Sequence, residues 1–347
     1  MPPIRPTLQT IADAMGVSAM TVSLALRNSP RISVAKRKQI QAHAEKIGYQ
    51  QNSFAASLVS LRTQKHPKYQ ATLALLNCYA SRAGWRQYAN LTRMFEGVCT
   101  RAKELGYLVE EFWLNEPDMS VDRLRRTLVS RGIPGILMAF IPDRDWELHR
   151  LREFDFRGFA CASLGWRLEE MNIHSCSNDQ YYTGLLAAHK LIERGYRRIG
   201  LILNEGLDTA IEHRLRAGYT MAMQDLPKNC RPPAYSAAVL NRESFIQWIR
   251  KNRLDAILAL PAGVHRWVLE EGWRIPEDIG FAYLDCVTPG DGLAGIDQKS
   301  ELVGSAAVDM VVALLHRNES GIPPYQKSML IRGEWVQSWS VRNPPGV

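Results

Sequence analysis

Short apolar runs alternate with amphipathic stretches from residue 71 almost to the end of the chain. The clearest runs are TLALLNC, GILMAFI, RIGLILN, AILALP and IGFAYLD. Such alternation predicts a parallel sheet with helices on both faces. We expect about nine strands, and because one small sheet does not hold that many, the pattern favours two doubly wound α/β lobes of ~100 to 150 residues each.

Three short amphipathic helices are predicted before residue 50. Thr7 can cap the first helix and Gly16 can end it, whereas Ser18 begins the second helix and Ser33 the third. Apolar residues at helical spacing form the inner faces: Leu8, Ile11, Ala12, Met15, Val22, Ala25, Leu26, Ile40, Ala44 and Ile47. Two helices joined by a Gly-containing corner form a helix-turn-helix, whose second helix lies in the major groove of DNA.

Positive charge is concentrated at the N-terminal end of the chain. Residues 1–65 hold nine Lys and Arg against two acidic residues, a net charge of +7, whereas the whole chain carries +8. A basic module on a nearly neutral body indicates a polyanionic partner for the module. The polar, basic stretch LRTQKHPKYQ, residues 61–70, is predicted to link the two parts.

Several classes of protein find no support in the sequence. The six cysteines lie far apart without a C-x-x-C pair, which indicates reduced thiols and a cytoplasmic location. The N-terminus lacks the apolar core of a secretion signal, and no stretch approaches the ~20 apolar residues that span a bilayer, so we expect no membrane partner. Walker loops, nucleophile elbows and paired acid/base motifs are also missing, so we do not expect an enzyme.

Two local patterns match ligand motifs only in part. Residues 290–295, GDGLAG, spell G-x-G-x-x-G, but they do not lie directly between a strand and a helix as a dinucleotide site requires. We interpret them as a loop that enters a crossover between the lobes. His174 and Cys176 offer two ligands where a metal site needs three or four. We therefore expect no cofactor and no metal.

Residues 7–62 resemble the DNA-binding headpiece of the LacI/GalR (lactose-repressor) family of transcriptional regulators. The resemblance rests on TLQTIADAMGVSAMTVSLAL, followed by Ser33, Arg37, IGY, Asn52, Ala55, Leu58 and Arg62. It extends more loosely through the body, where SND, LIERGYRRIGLI, RLRAGY, GFAYLD and IDQ follow in the family's order. Together these segments cover nearly the whole chain.

The resemblance implies a helix-turn-helix headpiece, a hinge helix and a body similar to periplasmic binding proteins, with two doubly wound parallel-sheet lobes. Residues 1–50 are then the DNA-binding domain, 51–69 the hinge helix and linker, and 70–347 the effector-binding and dimerisation domain. The first lobe comprises about 70–163 and 295–325, and the second about 164–294 and 326–347, with crossovers near 164, 294 and 326. The resemblance also implies at least a homodimer on a near-palindromic double-stranded operator.

By family pattern, Ala19, Met20 and Leu24 face the base edges, where polar or basic side chains are usual. Apolar atoms cannot form bidentate hydrogen bonds with bases, but they can pack against the thymine 5-methyl group. We therefore predict a surface that recognises methyl groups and shape. The alternative is that Met20 and Leu24 pack against the third helix or the hinge.

Other headpiece residues are predicted to contact DNA outside the base edges. By resemblance, phosphate contacts fall to Thr7, Ser18, Thr21, Ser23, Arg31 and Ser33, and Arg27 shares the outward helix face. The hinge contributes Asn52, Ala55, Leu58 and Arg62. Leu58 is placed where the family inserts a leucine into the minor groove. The hinge helix has fewer than three turns and needs a second subunit to be stable.

The resemblance also implies a small-molecule effector, a sugar or sugar derivative, bound between the lobes. Asp285 matches the family's cleft aspartate, whereas Arg214 and Arg216 lie on either side of the expected arginine. Trp85 or Tyr88 could form an apolar wall for a sugar ring. A tyrosine in the core or an arginine on a helix surface is the competing interpretation. A soluble small-molecule binding protein without a regulatory role is the alternative function, which the basic module disfavours.

Overall fold

The computed structural model describes residues 8–26, 32–47, 71–139, 149–165, 171–286 and 292–344. The chain divides into two compact units, Met1–His66 and Pro67–Val347. The first unit contains three helices: α1 (Leu8–Met15), α2 (Ala19–Leu26) and α3 (Val34–Lys46). We call these three helices the headpiece and the second unit the body.

The headpiece helices enclose a small apolar core. Its fully buried residues are Ile11, Ala12, Val22, Ala25, Ile40 and Ala44. The predicted inner faces are therefore confirmed. Gly16 ends α1 with φ of +61°, a left-handed conformation that glycine adopts without the strain of a side chain. Gln41 of α3 donates a hydrogen bond to the carbonyl oxygen of Ala25 and fixes α3 against the end of α2 (3.1 Å).

The described body contains twelve strands and nine further helices. The strands are β1 (Ala71–Asn77), β2 (Tyr107–Trp113), β3 (Gly135–Ala139), β4 (Ala160–Leu164), β5 (His174–Asn178), β6 (Ile199–Asn204), β7 (Tyr235–Ala237), β8 (Ala256–Ala259), β9 (Gly280–Tyr283), β10 (Ala294–Asp297), β11 (Ser328–Ile331) and β12 (Glu334–Val336). The helices are α4 (Ala89–Glu104), α5 (Val121–Ser130), α6 (His149–Arg152), α7 (Gln180–Glu193), α8 (Glu205–Ala210), α9 (Arg214–Ala222), α10 (Arg242–Asn252), α11 (Val264–Glu270) and α12 (Ser300–Arg317).

The strands form two six-stranded sheets. The order is β11-β5-β4-β3-β1-β2 in the first lobe and β12-β10-β9-β8-β6-β7 in the second. All neighbours are parallel except β10 and β12, which are antiparallel. Each sheet is covered on both faces, as the two apolar clusters of each lobe show. The two doubly wound lobes are thus confirmed, with one antiparallel edge strand that the sequence did not predict.

Each lobe contains one pair of helices in close contact through glycines. In the first lobe, a Cβ on Gly97 of α4 would lie 2.0 Å from the Glu301 carbonyl oxygen of α12. In the second lobe, a Cβ on Gly218 of α9 would lie 1.9 Å from the Tyr181 carbonyl oxygen of α7. Any larger residue at either glycine would push the two helices apart. The same packing device therefore recurs in both lobes.

The chain passes between the sheets later than the sequence indicated. The crossovers follow β5, β10 and β11, near residues 179, 298 and 332, instead of 164, 294 and 326. The predicted lobe boundaries therefore need correction. The first and largest shift arises from β5, whose sequence HSCSN has no apolar run although four of its five residues are buried. Asn178 bonds through its side-chain nitrogen to the carbonyl oxygens of Gln298 (3.1 Å) and Ile331 (3.0 Å), which joins the three crossovers.

Candidate functional site

The outward face of α2 is the candidate DNA-binding surface. The Ser18 hydroxyl oxygen accepts a hydrogen bond from the Thr21 backbone N–H (3.1 Å) and caps the helix, as predicted. Met20 is 68% exposed. Leu24, one turn later, is half-buried, and the described packing of the headpiece core includes neither Met20 nor Leu24. These two side chains are thus not part of the described headpiece core, and the hinge, the other partner considered for them, lies outside the described residues.

The other predicted contact residues of the headpiece fall into three groups. Ala19 is half-buried and packs against the headpiece core, so its side chain is less available to bases than predicted. Ser18 and Ser33 are exposed at the starts of α2 and α3, and Thr21 and Ser23 are half-buried on α2. The remaining predicted contacts lie outside the described residues: Thr7, Arg27, Arg31, Asn52, Ala55, Leu58 and Arg62.

The candidate effector cleft lies at the carboxyl ends of the strands, where parallel sheets bind ligands. Asp285 follows β9 at this edge of the second sheet and is half-buried. Its carboxylate adds to the negative field around Arg93, a residue of α4 in the first lobe. Arg93 also forms ion pairs with Asp297 at the end of β10 (3.1 Å) and with Glu301 (2.6 Å). The predicted cleft aspartate therefore belongs to a charged network that connects the lobes.

Sequence reasoning missed this network. Lys299, in the second crossover, pairs with Asp297 (3.1 Å) and with Glu334 of β12 (2.9 Å). Burial opposes ionisation of Asp297, but hydrogen bonds from Lys299 and Arg93 hold the pKa of its carboxyl below the ordinary value. Some members of the network are far apart in the sequence, since 204 residues separate Arg93 from Asp297. No local sequence pattern could therefore reveal the network.

The two aromatic candidates differ in exposure. Trp85 is 1% exposed and packs in the core of the first lobe against Phe95, so its prediction as an open apolar wall was wrong. The indole shares this core with Met94 and Val98 from the buried face of the amphipathic helix α4. Tyr88 is 46% exposed and meets Tyr79 edge-on, with 6.3 Å between ring centroids. Tyr88 is thus the aromatic residue that remains available to a ligand.

The arginines on either side of Leu215 have different partners. Leu215, at the position where the family has an arginine, is fully buried. Arg214 bonds to Glu212 and lies beside Gly165 and Leu330 of the first lobe. Arg216 pairs with the buried carboxylate of Asp208 within the second lobe (2.5 Å). Arg214 is therefore the arginine at the boundary between the lobes.

The structure also places the two sequence patterns that match ligand motifs only in part. Gly292, in the GDGLAG run, has φ of +56° and leads into β10. His174 and Cys176 lie in β5, where the His174 Nδ1 accepts a hydrogen bond from the Lys327 backbone N–H (3.1 Å). Within the residues that the structure describes, no helix has the length and hydropathy that a bilayer span requires.

Two protein families match separate parts of the chain. Residues 7–52 match the family described as bacterial regulatory proteins, lacI family, and residues 188–334 match a periplasmic binding protein-like domain. The HTH-type transcriptional regulator CelR of Thermobifida fusca is 24% identical over 325 residues, which cover 89% of this chain and 91% of that protein. The HTH-type transcriptional regulator GntR of Escherichia coli (strain K12) is 27% identical over 337 residues, which cover 92% of this chain and 94% of that protein.

Solved structures share the fold over almost the whole chain. A complex of the transcriptional regulator CelR with cellobiose has a TM-score of 0.57 at 19% identity, and covers 97% of this chain and all of that chain (100%). The lac repressor dimer bound to operator and the anti-inducer ONPF has a TM-score of 0.54 at 18% identity. The match covers 98% of this chain and 100% of that chain. The likeness therefore extends across both the headpiece and the body.

Proposed function

We propose that the chain is a member of the LacI family of bacterial regulatory proteins and a sequence-specific transcriptional regulator, acting as a repressor under the control of a small-molecule effector. The observation that carries this proposal is the exposure of Met20 on the second helix of a helix-turn-helix. That helix is the one that enters the major groove in such motifs. As a regulator of bacterial genes, the protein acts in the cytoplasm.

In the proposed complex, α2 recognises its operator through apolar contacts and shape. Met20 and Leu24 lie one helical turn apart, so they can reach neighbouring base pairs. Their side chains pack on thymine methyl groups, because they have no donor or acceptor for guanine or adenine edges. Ser18, Ser33 and the basic residues of the headpiece hold the phosphates and set the register. Leu58 in the hinge adds a bend at the minor groove.

The proposed effector is a sugar or sugar derivative in the cleft between the lobes. The exposed ring of Tyr88 offers a face on which a sugar ring can stack. Asp285 can accept hydrogen bonds from hydroxyl groups, and Arg214 can donate them from the lobe boundary. The transcriptional regulator CelR, which shares this fold, forms a complex with cellobiose, and this supports a sugar as the effector. Closure of the lobes on the sugar would then change the affinity for DNA.

We also propose a homodimer whose two headpieces bind the half-sites of a near-palindromic operator. A closed twofold dimer matches an operator with twofold symmetry. The lac repressor dimer on its operator supports this arrangement. The proposed domain division is a DNA-binding domain at 1–50, a hinge and linker at 51–69, and the effector and dimerisation domain from residue 70.

Selection of bound genomic DNA tests the proposal directly. Purified full-length protein is incubated with fragments of the source genome, and retained fragments are sequenced with and without cellobiose, glucose and sucrose. We expect a small set of fragments with a shared near-palindromic motif, whose retention falls as salt rises and changes with one sugar. Equal retention of all fragments, or none, would refute sequence-specific regulation and favour a binding protein without a DNA role.

A further inference from the structure

A cavity of about 450 Å³ lies in the first lobe on the side opposite the effector cleft. It is bounded by the first residues of β4 and β5 and by the segment 318–327, which follows α12. These are the amino-terminal ends of parallel strands, whereas the effector cleft lies at their carboxyl ends. The volume falls within the ~300 to 1,000 Å³ of pockets that bind small molecules. The cavity therefore has the size of a ligand site but is separate from the cleft.

His174 presents a hydrogen-bond donor at this cavity. The residue is 4% exposed, and its Nδ1 accepts the backbone N–H of Lys327. Burial, together with the positive charges of Lys327 and Arg317, lowers the pKa of the imidazole, so the ring is neutral and its proton is on Nε2. Nε2 has no hydrogen-bond acceptor among the described residues. Nε2 is thus free to donate a hydrogen bond to an acceptor of a ligand at the cavity.

The cavity also carries a positive charge that is not paired with a carboxylate. Lys327 lines the cavity, and its ammonium group forms no salt bridge with any residue that the structure describes. The one lining carboxylate, Glu319, is bound by Arg317 (2.6 Å), and the charges of Arg317 and the exposed Lys327 hold the pKa of Glu319 below its ordinary value. Two cations thus face one carboxylate here, and the excess positive charge favours an anion.

The remaining walls combine polar residues, Asn318 and Ser320, with apolar side chains. Leu314 of α12 is buried at the base of the cavity, and Pro323 and Pro324 form part of its wall. Ile322 and Tyr325 are 51% and 66% exposed at its opening. Large apolar side chains in such positions gain free energy when a ring or alkyl group covers them. The ligand thus needs an apolar body beside its charged group.

We propose that this cavity is a second ligand site, which binds a small organic anion with a carboxylate or phosphate ester on a ring or short apolar body. The anionic oxygens pair with the Lys327 ammonium and accept the Nε2–H of His174. The apolar body packs against Leu314, Ile322 and Pro323.

Calorimetric titration of the full-length protein tests the site with four probes. Phenyl phosphate and benzoate carry the two candidate anions on a ring, inorganic phosphate carries the anion alone, and benzyl alcohol carries the ring alone. We expect one of the two ring-bearing anions to bind measurably, and the other two probes to bind at least about tenfold more weakly. The anion that binds more tightly, phenyl phosphate or benzoate, shows whether the site prefers a phosphate ester or a carboxylate. Absence of binding by both ring-bearing anions would overturn the proposal.

Three variants locate the bound anion. Lys327→Met should weaken it about tenfold or more, whereas Lys103→Met, which removes an exposed lysine of the same lobe, should leave it unchanged. Asp285→Ala in the effector cleft should also leave it unchanged. Equal weakening by both lysine variants would indicate non-specific attraction and overturn the site. A loss in Asp285→Ala but not in Lys327→Met would assign the anion to the effector cleft.

His174→Asn separates ligand binding from structure. The asparagine oxygen can accept the Lys327 backbone N–H in place of Nδ1, but no group replaces the Nε2 donor. We expect a folded protein with weakened anion binding and unchanged sugar binding. Full anion affinity in a folded His174→Asn variant would exclude His174 from the site. If this variant does not fold, the comparison of Lys327→Met with Lys103→Met decides the question.

Discussion

The headpiece and the body differ greatly in the size of their buried cores. The headpiece has one core with six fully buried residues, whereas the body has four buried clusters on two sheets. The net charge, in contrast, is concentrated in the small N-terminal region. Residues 1–65 hold nine Lys and Arg against two acidic residues, whereas the rest of the chain is nearly neutral. A small module can hold a recognition helix in place, but it buries too little surface to be very stable alone. The difference agrees with the proposed division, in which the headpiece contacts DNA and the body assembles the dimer and responds to the effector.

Removal of the body is expected to have the largest effect on DNA binding. A fragment of residues 1–65 loses the proposed dimer contacts and with them the second half-site. We expect its affinity for the operator to fall by ~10² to 10⁴ and its sequence preference to become small. Binding constants of fragment and full-length protein at equal salt measure this loss. Tight and specific binding by the monomeric fragment would remove the need for the body in recognition.

Truncation of the headpiece core is expected to separate the stabilities of the two regions. Ile40 is fully buried in α3, so Ile40→Ala should destabilise the headpiece by ~2 to 5 kcal/mol. Ile40→Val should cost only ~0.5 to 1.5 kcal/mol and serves as the graded control. Calorimetric unfolding should show a shifted headpiece transition and an unchanged body transition. A body transition that moves with the headpiece would contradict two independently stable regions.

Asp285→Ala tests whether effector response belongs to the body only. Loss of a cleft carboxylate leaves ligand hydroxyl donors without partners, so sugar binding should weaken by ~1 to 3 kcal/mol while operator affinity without sugar stays the same. Asp225→Ala, at a residue with a 67% exposed side chain in the same lobe, is the matched control. Sugar and operator titrations of both variants provide the comparison. Equal sugar affinity in the two variants would place the effector elsewhere.

The headpiece could be predicted from sequence in more detail than the body. Helix periodicity, the Ser18 cap and the left-handed Gly16 are local features, and each is found where expected. In the body, apolar runs predicted the central strands because these are buried on both faces. The polar strand β5 was missed because its side chains bond to residues distant in sequence, such as Ser175 to Ser328 (2.9 Å).

The candidate sites show the same difference between local features, which could be predicted, and contacts between distant segments, which could not. Exposure of Met20 follows from the spacing of residues within one helix, so it could be predicted. The burial of Trp85 and the ion pair between Arg93 and Asp297 depend on contacts between distant segments, which single-sequence patterns do not contain. For the arginine of the effector cleft, the sequence left Arg214 and Arg216 open. Their contacts distinguish the two, because Arg216 pairs with the buried Asp208 and Arg214 lies at the boundary between the lobes.

The smallest expected effect is also the most direct test of the central claim that the exposed face of α2 recognises thymine methyl groups. Operator affinity is measured for the wild-type protein and Met20→Ala, each on DNA with thymine or uracil at the contacted steps. For the wild-type protein, each critical methyl should contribute ~0.5 to 1.5 kcal/mol, the scale of one buried CH₂ group. Met20→Ala should lose the same amount on thymine DNA and become insensitive to uracil, a coupling that the double-mutant cycle isolates. Equal weakening on thymine and uracil DNA would show that Met20 supports the headpiece fold instead, and would contradict the account.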